Sequence, residues 1–181
     1  MSTAPQLEKI TAEEYFRITE NREDRTELLD GQIFAMSSPS MIHQDIVGGI
    51  YAETRSFIRA NKGDCKAMVS PFDVMFDDTN VVQPDVLVVC DPSKIDEKRC
   101  HGAPDWLVEV TSTNRMRDFC QKLWLYQRSG VREYWIVDTK YKRVHVYFFE
   151  DDESQQIYDF NTPIPVRIYD GKLTVRIADM V

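Results

Sequence analysis

Two apolar runs of this chain are each broken by one carboxylate, and that interruption constrains the fold more than any other feature. Val81-Val82-Gln83-Pro84-Asp85-Val86-Leu87-Val88-Val89 contains Asp85, and Trp106-Leu107-Val108-Glu109-Val110-Thr111 contains Glu109. Their neighbours favour buried β-structure. A charge placed among them needs a partner, because a carboxylate taken out of water loses its solvation. A hard divalent cation such as Mg²⁺, with Mn²⁺ as a substitute, is one such partner: it takes oxygen ligands and keeps both carboxylates ionised. Lys122, one helical stretch further on, then supplies an ammonium that orients or polarises a water. That order of acids and lysine suggests a metal-dependent nuclease. The same two acids also suit sheet ends satisfied by backbone N–H groups or arginine.

With 181 residues and 43% apolar content, the chain fills one good core and is too short for two ordinary domains, so a single domain over 1–181 is expected. The start, Met1 to Gln6, has no basic and apolar leader pattern, and no run approaches the length that spans a bilayer. A soluble, cytoplasmic protein is expected, with no membrane partner. Cys65, Cys90, Cys100 and Cys120 show no C-x-x-C spacing and read as inert thiols of a reducing compartment. The net charge of −8 opposes broad nonspecific affinity for nucleic acid, which comes from Lys and Arg displacing counterions. Lys94, Lys98, Arg99, Arg115, Arg117, Lys122 and Arg128 nevertheless fall between or just after the two carboxylate strands. None of the seven glycines builds a phosphate loop, which excludes P-loop hydrolysis.

Thr11-Ala12-Glu13-Glu14 has capping-box spacing and starts a short helix. Thr26 to Met36 reads as a hairpin turning at Asp30-Gly31. Apolar residues recur at helical spacing from Met41 to about Asn61, with Gly63 as terminator. Extended segments follow at Cys65–Ser70, Phe72–Phe76 and Val81–Cys90, then a polar loop over Asp91–Pro104, then Trp106–Ser112. Met116, Phe119, Cys120, Leu123 and Tyr126 form an apolar helical stripe that Gly130 ends. Glu133–Asp138 and Arg143–Phe149 form a hairpin, and shorter strands fill the tail around Asp170-Gly171. Without a regular βαβ rhythm, the fold class is α/β or α+β, a mixed central β-sheet flanked by helices.

Period-2 alternation puts Leu107, Glu109 and Thr111 on one strand face, and the Val110 carbonyl can add a hard ligand to a metal at Glu109. Asp118 and Lys122, four apart, suit an ordinary surface pair as well as a catalytic lysine. Only Thr113-Asn114-Arg115 separate the Glu109 strand from that helix, so a long side chain can reach the strand end. His43 reads as a helix-surface or capping residue, or as a phosphate contact or proton carrier. Trp106, Trp124 and Trp135 read as core or interface aromatics.

The phrases Glu27-Leu28-Leu29-Asp30-Gly31, Pro71-Phe72-Asp73-Val74, Val82-Gln83-Pro84-Asp85, Gly102 to Val110, Lys122-Leu123 with Tyr126, and Gly130 to Asp138 resemble the Uma-two family of restriction endonucleases. The likeness covers roughly residues 10–150 and is specific in order and spacing. It implies a bacterial source, the restriction-endonuclease-like PD-(D/E)xK fold and a divalent-metal phosphodiesterase site, for which DNA is the expected substrate. It also implies Asp85 and Glu109 as metal ligands, Lys122 as the catalytic lysine and Glu27 as a further acidic member; alone, Glu27 reads as a solvated strand opener. Thr111 stands where the broader nuclease pattern has its lysine, so the lysine comes from elsewhere in the chain. Cutting both strands of a duplex calls for two sites, and a homodimer joined through the Glu133–Phe149 hairpin is expected. The competing expectation is an inactive binding or assembly module on the same fold.

Overall fold

The computed structural model describes residues 9–111, 117–151 and 155–181. Met1 to Gln6, Ser112, the Thr113-Asn114-Arg115 connection and Met116 lie outside the described residues. Helix α1 spans Ala12–Thr19 and carries the expected capping box: the Thr11 hydroxyl accepts the Glu14 N–H, and the Glu14 carboxylate accepts the Thr11 N–H. Strands β1 (Thr26–Leu29) and β2 (Gln32–Ala35) turn at Asp30 and Gly31, whose φ angles of 49° and 76° suit a tight hairpin turn. Helix α2 spans Met41–Ala60, capped by Ser40. The left-handed residue after it is Lys62 rather than the expected Gly63, whose N–H instead bonds back to the Ile58 carbonyl at 2.9 Å.

Strands β3 (Lys66–Val69), β4 (Asp73–Asp77), β5 (Asn80–Val82), β6 (Val86–Val89), β7 (Arg99–His101) and β8 (Trp106–Val110) follow. A π-helical turn over Arg117–Lys122 leads into α3 (Leu123–Ser129), which Gly130 ends in the left-handed conformation. Strands β9 (Glu133–Asp138), β10 (Arg143–Phe148), β11 (Gln156–Asp159), β12 (Ile164–Val166) and β13 (Leu173–Val175) complete the chain. A six-stranded mixed sheet runs β11-β10-β9-β8-β6-β3, a five-stranded one runs β2-β1-β5-β4-β7, and β12 pairs with β13. The fold is thus mixed α/β with sheets flanked by helices, and the expected central sheet is joined by a second.

The second sheet exists because Val81–Cys90 is two strands and not one. Pro84 has no N–H to give a ladder, so the chain breaks at Gln83-Pro84-Asp85, leaving β5 in the five-stranded sheet and β6 in the six-stranded one. The loop expected over Asp91–Pro104 contributes β7, which pairs in parallel with β4. Cys65 and Cys90, expected as separate thiols, are joined by a disulfide, because the β3–β6 register of Lys66 with Val89 brings them opposite each other. Their separation of 25 positions gives no sign of that register. Cys100 and Cys120 remain free. Trp106 and Trp135 are core as expected, whereas Trp124 is 57% exposed with Arg128 over its ring at 4.1 Å.

Alternation divides the six-stranded sheet cleanly. Val86, Val88, Trp106, Val108 and Val110 face Ile46, Ile50 and Ile58 of α2 together with the β12–β13 hairpin. Leu87, Val89 and Leu107 face the other way, against Leu29, Val74 and Val82 of the five-stranded sheet and Leu125 and Tyr126 of α3. Helix α1 covers the far side through Ala12 and Tyr15 on Leu28 and Val81. Strand β9 is buried along its length and β10 pairs with β11, so the six-stranded sheet ends in β11 on one side and β3 on the other. No helix among the described residues is long and apolar enough to cross a membrane.

Leu107 is fully buried between the two sheets. Leu107→Ala is expected to lower unfolding free energy by about 2–5 kcal/mol in urea titrations, since the cavity cannot collapse fully. Trp124→Ala, which loses only an exposed ring contact, should cost less than about 1 kcal/mol in the same measurement.

Candidate active site

The face that carries Leu87 and Leu107 also carries the acids. Asp85 shares parity with Leu87 and Val89, Glu109 with Leu107, and Glu27 with Leu29, so all three carboxylates are directed into the layer between the sheets. The antiparallel register of Val86 with Val108, carried one step further, sets Asp85 opposite Glu109. Glu27, Asp85, Glu109, Val110 and Lys122 line one cavity of about 120 Å³, room for several water molecules.

Lys122 is buried, and its Nζ donates to Glu27 Oε1 and to Glu109 Oε1, each at 2.9 Å. Tyr126, one turn on, donates its hydroxyl to the same Glu109 oxygen at 2.7 Å. Glu27 Oε1 also accepts the Gln83 N–H at 2.9 Å. Asp85 Oδ2 accepts the Val110 N–H at 2.8 Å and lies 3.1 Å from His43 Nε2. Asp85 therefore stands beside a Glu–Lys–Glu chain. The Lys122 ammonium sits between Glu27 and Glu109, and no group of three or more His, Cys, Asp or Glu side chains is set to hold one ion among the described residues. Two carboxylates with water remain a fitting donor set for Mg²⁺, which binds through one or two carboxylates and keeps several waters.

Burial opposes the Lys122 charge, but Glu109, Glu27 and Asp118 outweigh it and raise the pKa, so the amine stays protonated. Burial pushes the Glu109 carboxyl well up against the pull of Lys122, with Asp85, Asp118 and Glu27 adding to the rise. The two shifts point apart, since Lys122 is held charged by an ionised Glu109. The geometry favours the ionised form at Oε1, which accepts two donors. Asp118 is not the surface partner that its spacing suggests; it lines the same cavity, and burial pushes it up to about 6 despite Lys122. The π-helical turn, a geometry frequent at functional sites, is what carries Asp118 and Lys122 inward together.

Sequence reasoning missed Asp118, Tyr126, Gln83 and Arg25 as members of the site's surroundings, and left His43 undecided. Tyr126 had a legible signal in its four-residue spacing from Lys122, which places both on one helix flank. Gln83 and His43 had none, because their contacts depend on where the two sheets and the α2 N-terminus meet.

A family model named Uma2, with the description "Putative restriction endonuclease", matches residues 12–171. A Synechocystis protein described as "Uncharacterized protein" is 28% identical over 155 residues, covering 84% of this chain and 80% of its own. The crystal structure of "a putative nuclease belonging to DUF820" from Anabaena variabilis aligns over 94% of this chain and 97% of that one, with a TM-score of 0.78. At 22% identity that likeness speaks for the fold alone.

Lys122→Met leaves Glu27 and Glu109 buried without their ammonium. It should cost about 3–5 kcal/mol of stability at neutral pH, and adding Glu109→Gln should recover part of that loss in denaturant titrations. Asp118 holds its proton longer in the folded protein than in the unfolded one, so stability is expected to fall as pH rises from 3.8 to about 6. Asp118→Asn should flatten that part of the pH–stability curve, as followed by thermal melts across the interval.

Proposed function

The chain belongs to the Uma2 family, and from that premise we propose that it is a Mg²⁺-dependent endonuclease hydrolysing DNA phosphodiester bonds, with Mn²⁺ as an alternative ion. The observation that carries this reading is the approach of Asp85, Glu109 and Lys122 to a single cavity from two adjacent strands and a π-helical turn. Asp85, Glu109 and the Val110 carbonyl would hold the ion, with Glu27 as the further acidic member. Such an ion would supply Lewis-acid polarisation of the phosphoryl oxygen and would ease deprotonation of the attacking water.

This chain's own side chains divide the remaining work. Lys122, kept protonated by its two glutamates, acts as donor and fixed positive charge and not as a base. It orients the attacking water and offsets charge growing on the phosphate. Asp118, poised at about 6 on the cavity wall, is suited to receive the proton released by that water. His43 and the Val110 N–H, both on Asp85 Oδ2, fix the orientation of that carboxylate. We assign residues 1–181 to one restriction-endonuclease-like domain acting in the cytoplasm as a homodimer, its two sites serving the two strands of a duplex.

A second reading, an inactive binding or assembly module, is favoured by Thr111 at the usual lysine position and by the lack of a three-acid group among the described residues. Activity and metal linkage separate the two. The wild type should nick or cleave DNA with Mg²⁺ or Mn²⁺, and Asp85→Asn and Glu109→Gln should each reduce the rate by about 10²-fold or more. Millimolar metal should also raise the melting temperature of the wild type, but not of Glu109→Gln. Inertness on DNA and RNA, with a melting temperature indifferent to both metals, would make the module the better account.

A further inference from the structure

The acidic cavity adjoins a second, wider one of about 470 Å³, and Arg25 lines both. Arg25 is half-buried and held by neutral partners only: its Nε donates to Gln83 Oε1 at 3.2 Å and its Nη2 to the Ser70 hydroxyl. Two of its five N–H groups are thereby used, and among the described residues no carboxylate forms a direct ion pair with it. Gln83 fixes it in turn, since its amide donates to Asp73 at 2.9 Å and its N–H to Glu27. The guanidinium is therefore tied to the same segment that positions the Glu27–Lys122 pair.

The second cavity carries further cations beside its acids. Arg99 lies 3.6 Å over the Phe16 ring, across the strand pair from Asp73, and Lys98 is exposed beside it. On the other side of Arg25, Arg117 lines the first cavity, braced 4.4 Å over Phe34. The acids of the second cavity are partly committed: Asp24 is held by Arg22 at 2.7 and 2.9 Å, and Asp73 by Gln83, leaving Glu20 and Glu23 exposed. A phosphodiester must approach a site of four carboxylates in a chain of net charge −8, so affinity has to come from cations placed locally. Arginine forks match phosphate geometry and keep their charge at any physiological pH.

We propose that this second cavity binds the nucleic-acid phosphodiester backbone flanking the phosphate held at Asp85 and Glu109, with Arg25 as the joint between the two. The proposal rests on the nuclease reading and assigns it a strand path. Backbone contacts of this kind fix register and supply salt-dependent affinity without reading sequence.

Binding is read by fluorescence anisotropy in Ca²⁺, using labelled duplex DNA, single-stranded DNA and single-stranded RNA at several salt concentrations. Arg25→Gln and Arg99→Gln should each weaken binding about tenfold at low salt and reduce the salt slope by about one. Arg25→Lys should recover part of the affinity, and Lys172→Gln, away from the cavity, should bind as wild type. Circular dichroism melts monitor folding, and Lys98→Gln with Arg99→Gln reads the same path if Arg25→Gln unfolds. The three substrates identify which backbone the path takes. Wild-type binding matched in affinity and slope by the Arg25 and Arg99 variants would overturn the path and leave the nuclease reading standing. Failure of the wild type to bind any of the three would overturn both.

Discussion

The Lys122 ammonium, buried between Glu27 and Glu109, is the interaction on which the rest of the arrangement depends. Its partners come from different layers: Glu27 from β1 of the five-stranded sheet and Glu109 from β8 of the six-stranded one, with the lysine arriving from the π-helical turn. Each charge alone would be expensive in that layer, and each is tolerable only because the others are at hydrogen-bond distance. A buried ion pair of this kind adds little net stability over a hydrophobic replacement. Its consequence lies in placement: it fixes where two sheets and a helix meet, and it does so beside Asp85 and Asp118 in one cavity.

The corner at Gln83-Pro84-Asp85 makes that meeting possible. Proline ends β5, and the chain crosses into β6 with three successive residues serving different ends. Gln83 links Glu27 to Arg25, Pro84 breaks the ladder, and Asp85 turns toward Glu109 and accepts the Val110 N–H. In a chain of net charge −8, cations gathered beside an acidic cavity are a local feature that the overall charge does not announce. Arg25, anchored on the same corner, lines both the acidic cavity and the wider one beside it.

Much of the fold was legible in the sequence because it is local. The Thr11–Glu14 box, the Asp30-Gly31 turn, the α2 stripe and the Gly130 terminator each depend on residues within a few positions of one another, and each forms as read. Local rules failed where pairing is distant. The Cys65–Cys90 bond follows from a strand register, and β7 forms only because β4 lies alongside it. Trp124, read as a core or interface aromatic, is exposed, since the pattern gives spacing but not which flank meets the core.

For the site, the sequence by itself determined the kinds of group and their parity. Carboxylates at Asp85 and Glu109 must lie on the strand faces set by Leu87 and Leu107, because side chains alternate along a strand. The tertiary structure alone decided who partners whom. It drew Glu27 across from the other sheet, turned Asp118 inward with Lys122, and put that lysine between two glutamates instead of leaving it on a surface. The physical reason is range: alternation and helix period act over neighbouring residues, whereas a buried charge is satisfied by whatever the packing of distant segments brings within about 3 Å.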